Sequence, residues 1–207
     1  MGELKVKDKE IVAPGEVLAN GMDFLPSQGT FREGENIVAS TLGLTYIDGR
    51  VMKVISFNIN GIRARLHQLQ ALIDTHQPDV IGLQEIKVHD EQFPVEAVEA
   101  MGYQVFFHGQ KSHYGVAFLA KKAPLSVQKG FPTDEDDAQR RMIILKTTDD
   151  KGDPVTILNG YFPQGENEKH ETKYPAKSKF YQDLMHYLNT YHTPDEKVIV
   201  MGDVNIS

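Results

Sequence analysis

Three short stretches hold side chains that could do chemistry together. Asp203 and Asn205 follow the apolar run Val198-Ile199-Val200-Met201-Gly202, Glu85 follows Val80-Ile81-Gly82-Leu83-Gln84, and Asn58 and Asn60 follow Val54-Ile55-Ser56-Phe57. Apolar runs of this length, closed by glycine or polar residues, read as buried strands. The residues just beyond them sit at a sheet end, where loops usually carry function. Period-two alternation puts Asp203 and Asn205 on the same side. A lone acid at a strand end is usually turn chemistry. Three such ends converge if the strands are neighbours. Carboxylate and amide oxygens suit a hard cation such as Mg2+, which takes one or two carboxylates and completes its shell with water and phosphate.

Positioning these ends requires an alternation of strands and helices, and the chain from Met52 onward has it. Ala64 to His76 places Leu66, Leu69, Leu72 and Ile73 on one helical face. Phe93 to Met101 reads as a shorter helix. Ala176 to Tyr191 reads as a third, with Phe180, Leu184, Leu188 and Tyr191 aligned and Pro175 suited to its first turn. Tyr103–Phe107, Val116–Leu119, Met142–Leu145 and Val155–Leu158 are further strands. From Asn159 to about Tyr174 the pattern predicts a long loop, of a length that is usually functional or disordered. Lys53-Val-Ile-Ser-Phe-Asn and Lys197-Val-Ile-Val-Met-Gly-Asp are near-repeats, as if two equivalent sheet positions were used.

Residues 1–51 follow a different grammar. Short apolar runs are punctuated by Pro14-Gly15, Glu33-Gly34 and Asp48-Gly49 with no helical period, predicting a small all-β unit of about five strands. The chain is therefore read as a β module over 1–51 and an α/β domain over 52–207.

The 207 residues are 40% hydrophobic and 25% charged, an ordinary globular composition. The absence of cysteine excludes a disulfide framework, thiolate metal sites and a thiol nucleophile. No stretch approaches the roughly 18 apolar residues of a membrane span, and Met1 to Asp8 lacks a signal-peptide apolar region, so a cytoplasmic chain with no membrane partner is expected. A net charge of −7 argues against a passive nucleic-acid coat but not against a nuclease whose carboxylates hold metal. Basic residues cluster at Lys121-Lys122, at Arg140-Arg141 and along Lys169, Lys173, Lys177 and Lys179. Each cluster reads equally as a solvated face.

The wording of five segments resembles the exonuclease III family of apurinic/apyrimidinic endonucleases. They are Phe57-Asn58-Ile59-Asn60-Gly61-Ile62-Arg63-Ala64, Asp79 through Lys87, His113-Tyr114-Gly115-Val116-Ala117, Asn159 through Gly165, and Gly202 through Ser207. The resemblance runs from Met52 to the last residue. It implies part of a four-layer α/β sandwich of the endonuclease/exonuclease/phosphatase type. It also implies a Mg2+-dependent phosphodiesterase, with Mn2+ as an alternative ion, acting on double-stranded DNA at abasic sites and 3′ ends in base-excision repair. By the same resemblance Glu85 is the principal metal ligand with Asn58 beside it. Tyr161 contacts the scissile phosphate, Asp203 orients the attacking water or protonates the leaving oxygen, and Asn205 helps hold the phosphate. Arg140, Arg141, Gln164, Asn60 and Arg63 are the implied DNA contacts.

In the family pattern an acid paired with a histidine and a Ser-Asp-His motif follow further on, and neither occurs here. The eight histidines fall outside that pattern. The expectation is an incomplete enzyme, weakly active or inactive, with about one sheet made and one sheet face bare, and hence prone to aggregate. Val12-Ala13-Pro14-Gly15-Glu16, Gly29-Thr30-Phe31 and Ile37 through Leu44 resemble the N-terminal domain of archaeal exosome cap subunits, which bind RNA. The competing readings are an RNA-binding or exosome-docking fusion without catalysis, its RNA or exosome-ring contact made through residues 1–51, and an artificial chimera joined near Val51-Met52.

Overall fold

The computed structural model describes residues 37–40, 45–47, 50–165 and 171–205, with side chains from Met52 onward. Most of the β unit predicted over 1–51, and the loop residues 166–170, lie outside them. Within the first segment, β1 (Ile37–Ser40), β2 (Thr45–Ile47) and β3 (Arg50–Met52) are formed. β2 and β3 pair antiparallel with Ile47 opposite Arg50, on either side of the predicted Asp48-Gly49 turn.

Two mixed sheets follow. One has the order β4-β5-β7-β6, built from β4 (Val54–Asn58), β5 (Val80–Gln84), β6 (Gln104–His108) and β7 (Val116–Ala120). The other has the order β1-β11-β10-β9-β8 and adds β8 (Ser126–Lys129), β9 (Met142–Thr148), β10 (Pro154–Tyr161) and β11 (Lys197–Asp203). Two parallel crossovers organise the fold. α1 (Ile62–His76) joins β4 to β5, and α3 (Lys173–Tyr191) joins β10 to β11. A short α2 (Val95–Glu99) precedes β6.

Alternation along each strand sorts the core into three layers. Val116, Phe118 and Ala120 of β7 face Ile143 and Leu145 of β9 and Ile199 and Met201 of β11 between the sheets. The intervening Ala117 and Leu119 pack with Ile62, Leu69 and Ile73 of α1 and Val98 of α2. On the far side, Met142, Ile144, Val198 and Val200 pack against Phe180, Leu184 and Tyr187 of α3. The order is helices, sheet, sheet, helix, the predicted four-layer arrangement.

The expectation of one sheet with a bare face is corrected, because β8 to β11 form a second sheet that covers the first. Fully apolar strands do not say which sheet they join. The near-repeat strands β4 and β11 likewise lie in different sheets. Other differences are local. β10 runs through Tyr161, into the predicted loop, and β8 was not foreseen. α2 is shorter than expected, and Tyr187 rather than Leu188 completes the buried stripe of α3. Helix α1 ends where Gln77 turns left-handed (φ 49) and returns its N–H to Ile73 O at 2.8 Å, just before Pro78.

Candidate active site

The parallel pairs β4–β5 and β10–β11 point their carboxyl ends the same way, and four side chains meet there. Asn58 ends β4, Glu85 follows β5, Tyr161 ends β10 and Asp203 ends β11. Tyr161 and Asp203 are register partners on neighbouring strands. An amide links the two sheets at this end: Asn58 Nδ2 donates to Glu85 Oε1 at 2.8 Å and to Asp203 Oδ2 at 2.7 Å. Asn58 Oδ1 accepts the N–H of Asn60 at 3.0 Å, which fixes the amide's orientation. The approach of β11 to β10 requires glycine at 202, because there φ is +148 and a Cβ would collide with Gly160 O.

Beneath this cluster lies a buried polar bridge. Gln84 Nε2 donates to Asn159 Oδ1 at 2.5 Å and to Ser56 Oγ at 3.1 Å. Asn159 Nδ2 donates to Leu83 O and Ala117 O, each at 3.0 Å. The bridge clamps β5 to β10 one residue before Glu85 and two before Tyr161. Gly82 leaves room for it, since a Cβ there would lie 2.8 Å from Asn159 Cγ.

The electrostatics separate the two carboxyls. Burial alone would raise Glu85, but hydrogen bonds from Lys87, Asn58 and Tyr161 outweigh it and hold the carboxyl below its ordinary 4.5. Asp203 moves the other way. Burial lifts it above 3.8, and Glu85's charge adds to the rise against the single donor Asn58. Burial and its hydrogen bond to Glu85 push the Tyr161 phenol up to about 12, so it stays a neutral donor. The two carboxyls are pushed in opposite directions, and such divergence separates metal-binding from proton-transfer roles.

Around the centre, the Arg141 guanidinium lies over two rings, 4.4 Å from the centroid of Tyr114 and 4.8 Å from that of Tyr161. Its Nη1 donates to Tyr161 O at 3.0 Å and its Nε to Gln139 Oε1 at 2.6 Å. Asn205 donates to Phe162 O at 3.0 Å and accepts from Gln164 Nε2 at 3.1 Å, while Lys177 Nζ donates to Asn205 O at 3.0 Å. Asn60 accepts from Lys87 Nζ, and Arg63 is exposed on the first turn of α1. Arg140 is engaged elsewhere, donating to Gly109 O at 2.5 Å and standing 4.0 Å from Asp90. Sequence reasoning assigned no role to Lys87, Tyr114, Gln84 or Asn159. Lys87's position two residues after Glu85 was the available signal.

Among the described residues no group of three or more His, Cys, Asp or Glu converges. The donor set still suits a Mg2+-like ion, which needs only one or two carboxylates and prefers oxygen throughout.

The model of the Endonuclease/Exonuclease/phosphatase family matches residues 55–207. The chain is similar to the exodeoxyribonuclease III of Haemophilus influenzae, 59% identical over 156 residues, covering 75% of this chain and 58% of that protein. Among solved structures it is similar to an AP endonuclease from Archaeoglobus fulgidus, with TM-score 0.67 and 32% identity over 75% of this chain and 58% of that one. The chain thus spans under two thirds of the length of these relatives. A short stretch is also similar to the exosome complex component Rrp4 of Methanopyrus kandleri, 43% identical over 53 residues, 26% of this chain and 22% of that protein. That match is too short to support RNA docking as the chain's function. Among the described residues no helix is long and apolar enough to cross a membrane.

Proposed function

The chain belongs to the endonuclease/exonuclease/phosphatase family, and from that membership we propose that it is a Mg2+-dependent DNA phosphodiesterase of the exonuclease III and AP endonuclease type. The carrying observation is the convergence of Asn58, Glu85, Tyr161 and Asp203 with their two carboxyls pushed in opposite directions.

In this reading Glu85, kept charged by three donors, is the principal metal ligand, with Asn58 orienting it. A Mg2+ or Mn2+ ion held there would supply positive charge to offset the charge that builds on the phosphate oxygens. Tyr161 and Asn205 present hydrogen-bond donors to the scissile phosphate and hold it for in-line attack. Asp203 takes the proton of the attacking water as the new P–O bond forms. The P–O bond to the 3′ oxygen breaks on the opposite side, and that oxygen takes its proton from solvent. Gln164, Asn60, Arg63 and Arg141 are the proposed contacts of the duplex, whose abasic sites and 3′ ends are the proposed substrates. Residues 1–51 are proposed as a module attached to the nuclease domain of residues 52–207, joined to it where β1 pairs with β11.

A duplex carrying one synthetic abasic site tests this reading. Incubation with the protein and Mg2+ is expected to nick the strand 5′ to the site, at the weak rate of an incomplete enzyme. Glu85→Gln is expected to lower the rate by about 10²–10³-fold. Cleavage that survives this substitution undiminished would remove Glu85 from the chemistry and the proposal with it.

A further inference from the structure

Lys87 occupies an unusual place. The segment after β5 is pinned on both sides: Gly61 N–H donates to Glu85 O at 2.7 Å, while Ile86 N–H and Lys87 N–H donate to Gly115 O and Tyr114 O at 3.1 and 3.0 Å. Glu85 and Lys87 both adopt left-handed backbone angles, φ 52 and φ 57, a region that residues other than glycine seldom occupy. Between them Ile86 is fully buried. The consequence is that side chains 85 and 87 emerge together. Lys87 Nζ lies 2.8 Å from Glu85 Oε2 and also donates to Asn60 Oδ1.

An ammonium held between a carboxylate oxygen and an amide oxygen has the surroundings a hard cation takes: oxygen donors, one of them charged. Strained backbone held in place by neighbouring hydrogen bonds is a feature of functional sites. The pair is not sealed in, since the two side chains are 28% and 16% exposed, so both water and an ion can reach it.

We propose that Lys87 is an internal stand-in for the metal: its ammonium holds the place between Glu85 and Asn60, a divalent ion must displace it, and its charge sets the site's affinity. This rests on the reading of Glu85 as the metal ligand. Without an ion the pair keeps Glu85 oriented and its charge compensated. With one, two cations compete for a single carboxylate, and like charges a few ångströms apart repel strongly in a partly dry site. Because the lysine stem is flexible and can carry its ammonium into solvent, the penalty on ion binding is limited to roughly tenfold. A merely structural ion pair would act with the opposite sign, since losing it would loosen Glu85 and weaken ion binding.

Mn2+ alone, titrated into the full chain with free ion read by electron paramagnetic resonance, separates the two. Lys87→Gln is expected to bind Mn2+ about tenfold more tightly than the parent, and Lys87→Arg within about twofold of it. Glu85→Gln is expected to lose binding. Binding by Lys87→Gln that is equal to or weaker than the parent's overturns the proposal. Unchanged binding by Glu85→Gln overturns the metal-ligand reading itself, and the two failures are thereby distinguished. Amine acylation of the unsubstituted protein, read by mass spectrometry, does not depend on the variants folding. Mn2+ is expected to raise labelling of Lys87, and saturation with no change at Lys87 refutes displacement.

Discussion

Asp203 and Glu85 carry the same functional group and share one amide donor, yet their surroundings drive them apart. Asp203 is half-buried beside a negative charge with Asn58 as its donor, so its carboxyl titrates above 3.8. The folded protein therefore holds this proton more tightly than the unfolded chain. Stability falls as pH rises from 3.8 through the folded value, and above that window the buried charge is a standing cost. Asp203→Asn removes the cost while keeping an oxygen to accept from Asn58. Its melting temperature is expected to exceed the parent's at pH 7, with a margin that closes as pH falls toward 3.8. Its hydrolytic rate is expected to drop by about 10²–10⁴-fold. Thermal melts across pH 3.5–8 check the sign, and a variant no more stable than the parent at pH 7 would show that the burial cost is small. Glu85 has the opposite linkage. Its lowered value contributes stability that is present above 4.5 and lost as pH falls through the folded value.

The spacing of those carboxyls depends on β5 and β10, and the buried Gln84–Asn159 bridge fixes it. Replacing Asn159 with Val takes one acceptor from the Gln84 amide, which keeps Ser56 Oγ, and leaves the Leu83 and Ala117 carbonyls without their side-chain donor. A cost of about 1–3 kcal/mol follows from such unsatisfied groups. Gln84→Leu combined with Asn159→Val is expected to cost less than the sum, with a coupling of about 0.5–3 kcal/mol in urea denaturation. Both variants should hydrolyse more slowly, because Glu85 and Tyr161 lose their common anchor. Additive stabilities would mean that the bridge is not a unit. The same residues show what the sequence could and could not tell. Buried runs such as Val80–Leu83 and Val198–Met201 announce strands, and the acid or amide at each end announces a site. Asn159-Gly160 announces a turn, yet a hydrogen-bond network across the sheets keeps Asn159 inside β10, so tertiary contacts override the local signal. β8, Ser-Val-Gln-Lys, is half exposed and has no apolar run to mark it. The stacking of Arg141 on Tyr114 and Tyr161 depends on distant chain segments, which spacing alone does not encode.

At the scale of the molecule, the two sheets bury each other's inner faces and helices cover the outer ones, so the exposed weakness lies at an edge. Among the described residues, β11 is an apolar strand whose outer side is paired only by β1, from Ile37 opposite Val198 to Ser40 opposite Met201. Removing β1 would leave the N–H and C=O groups of Val198–Met201 unpaired along a nearly uncharged strand, which is a template for another chain. A chain lacking residues 1–49 is therefore expected to self-associate with rising concentration and to melt at a lower temperature. Val38→Pro, which faces Ile199, removes a backbone donor without shortening the chain and is expected to do the same to a lesser degree. Light scattering and size-exclusion chromatography across about 5–200 µM, a range that brackets association at modest affinity, read the effect. If the shortened chain stays monomeric throughout and melts with the parent, β1 is not what protects this edge. If it self-associates yet keeps its Mn2+ affinity, the first segment guards the sheet while the site at the strand ends stands on β4, β5, β10 and β11 alone.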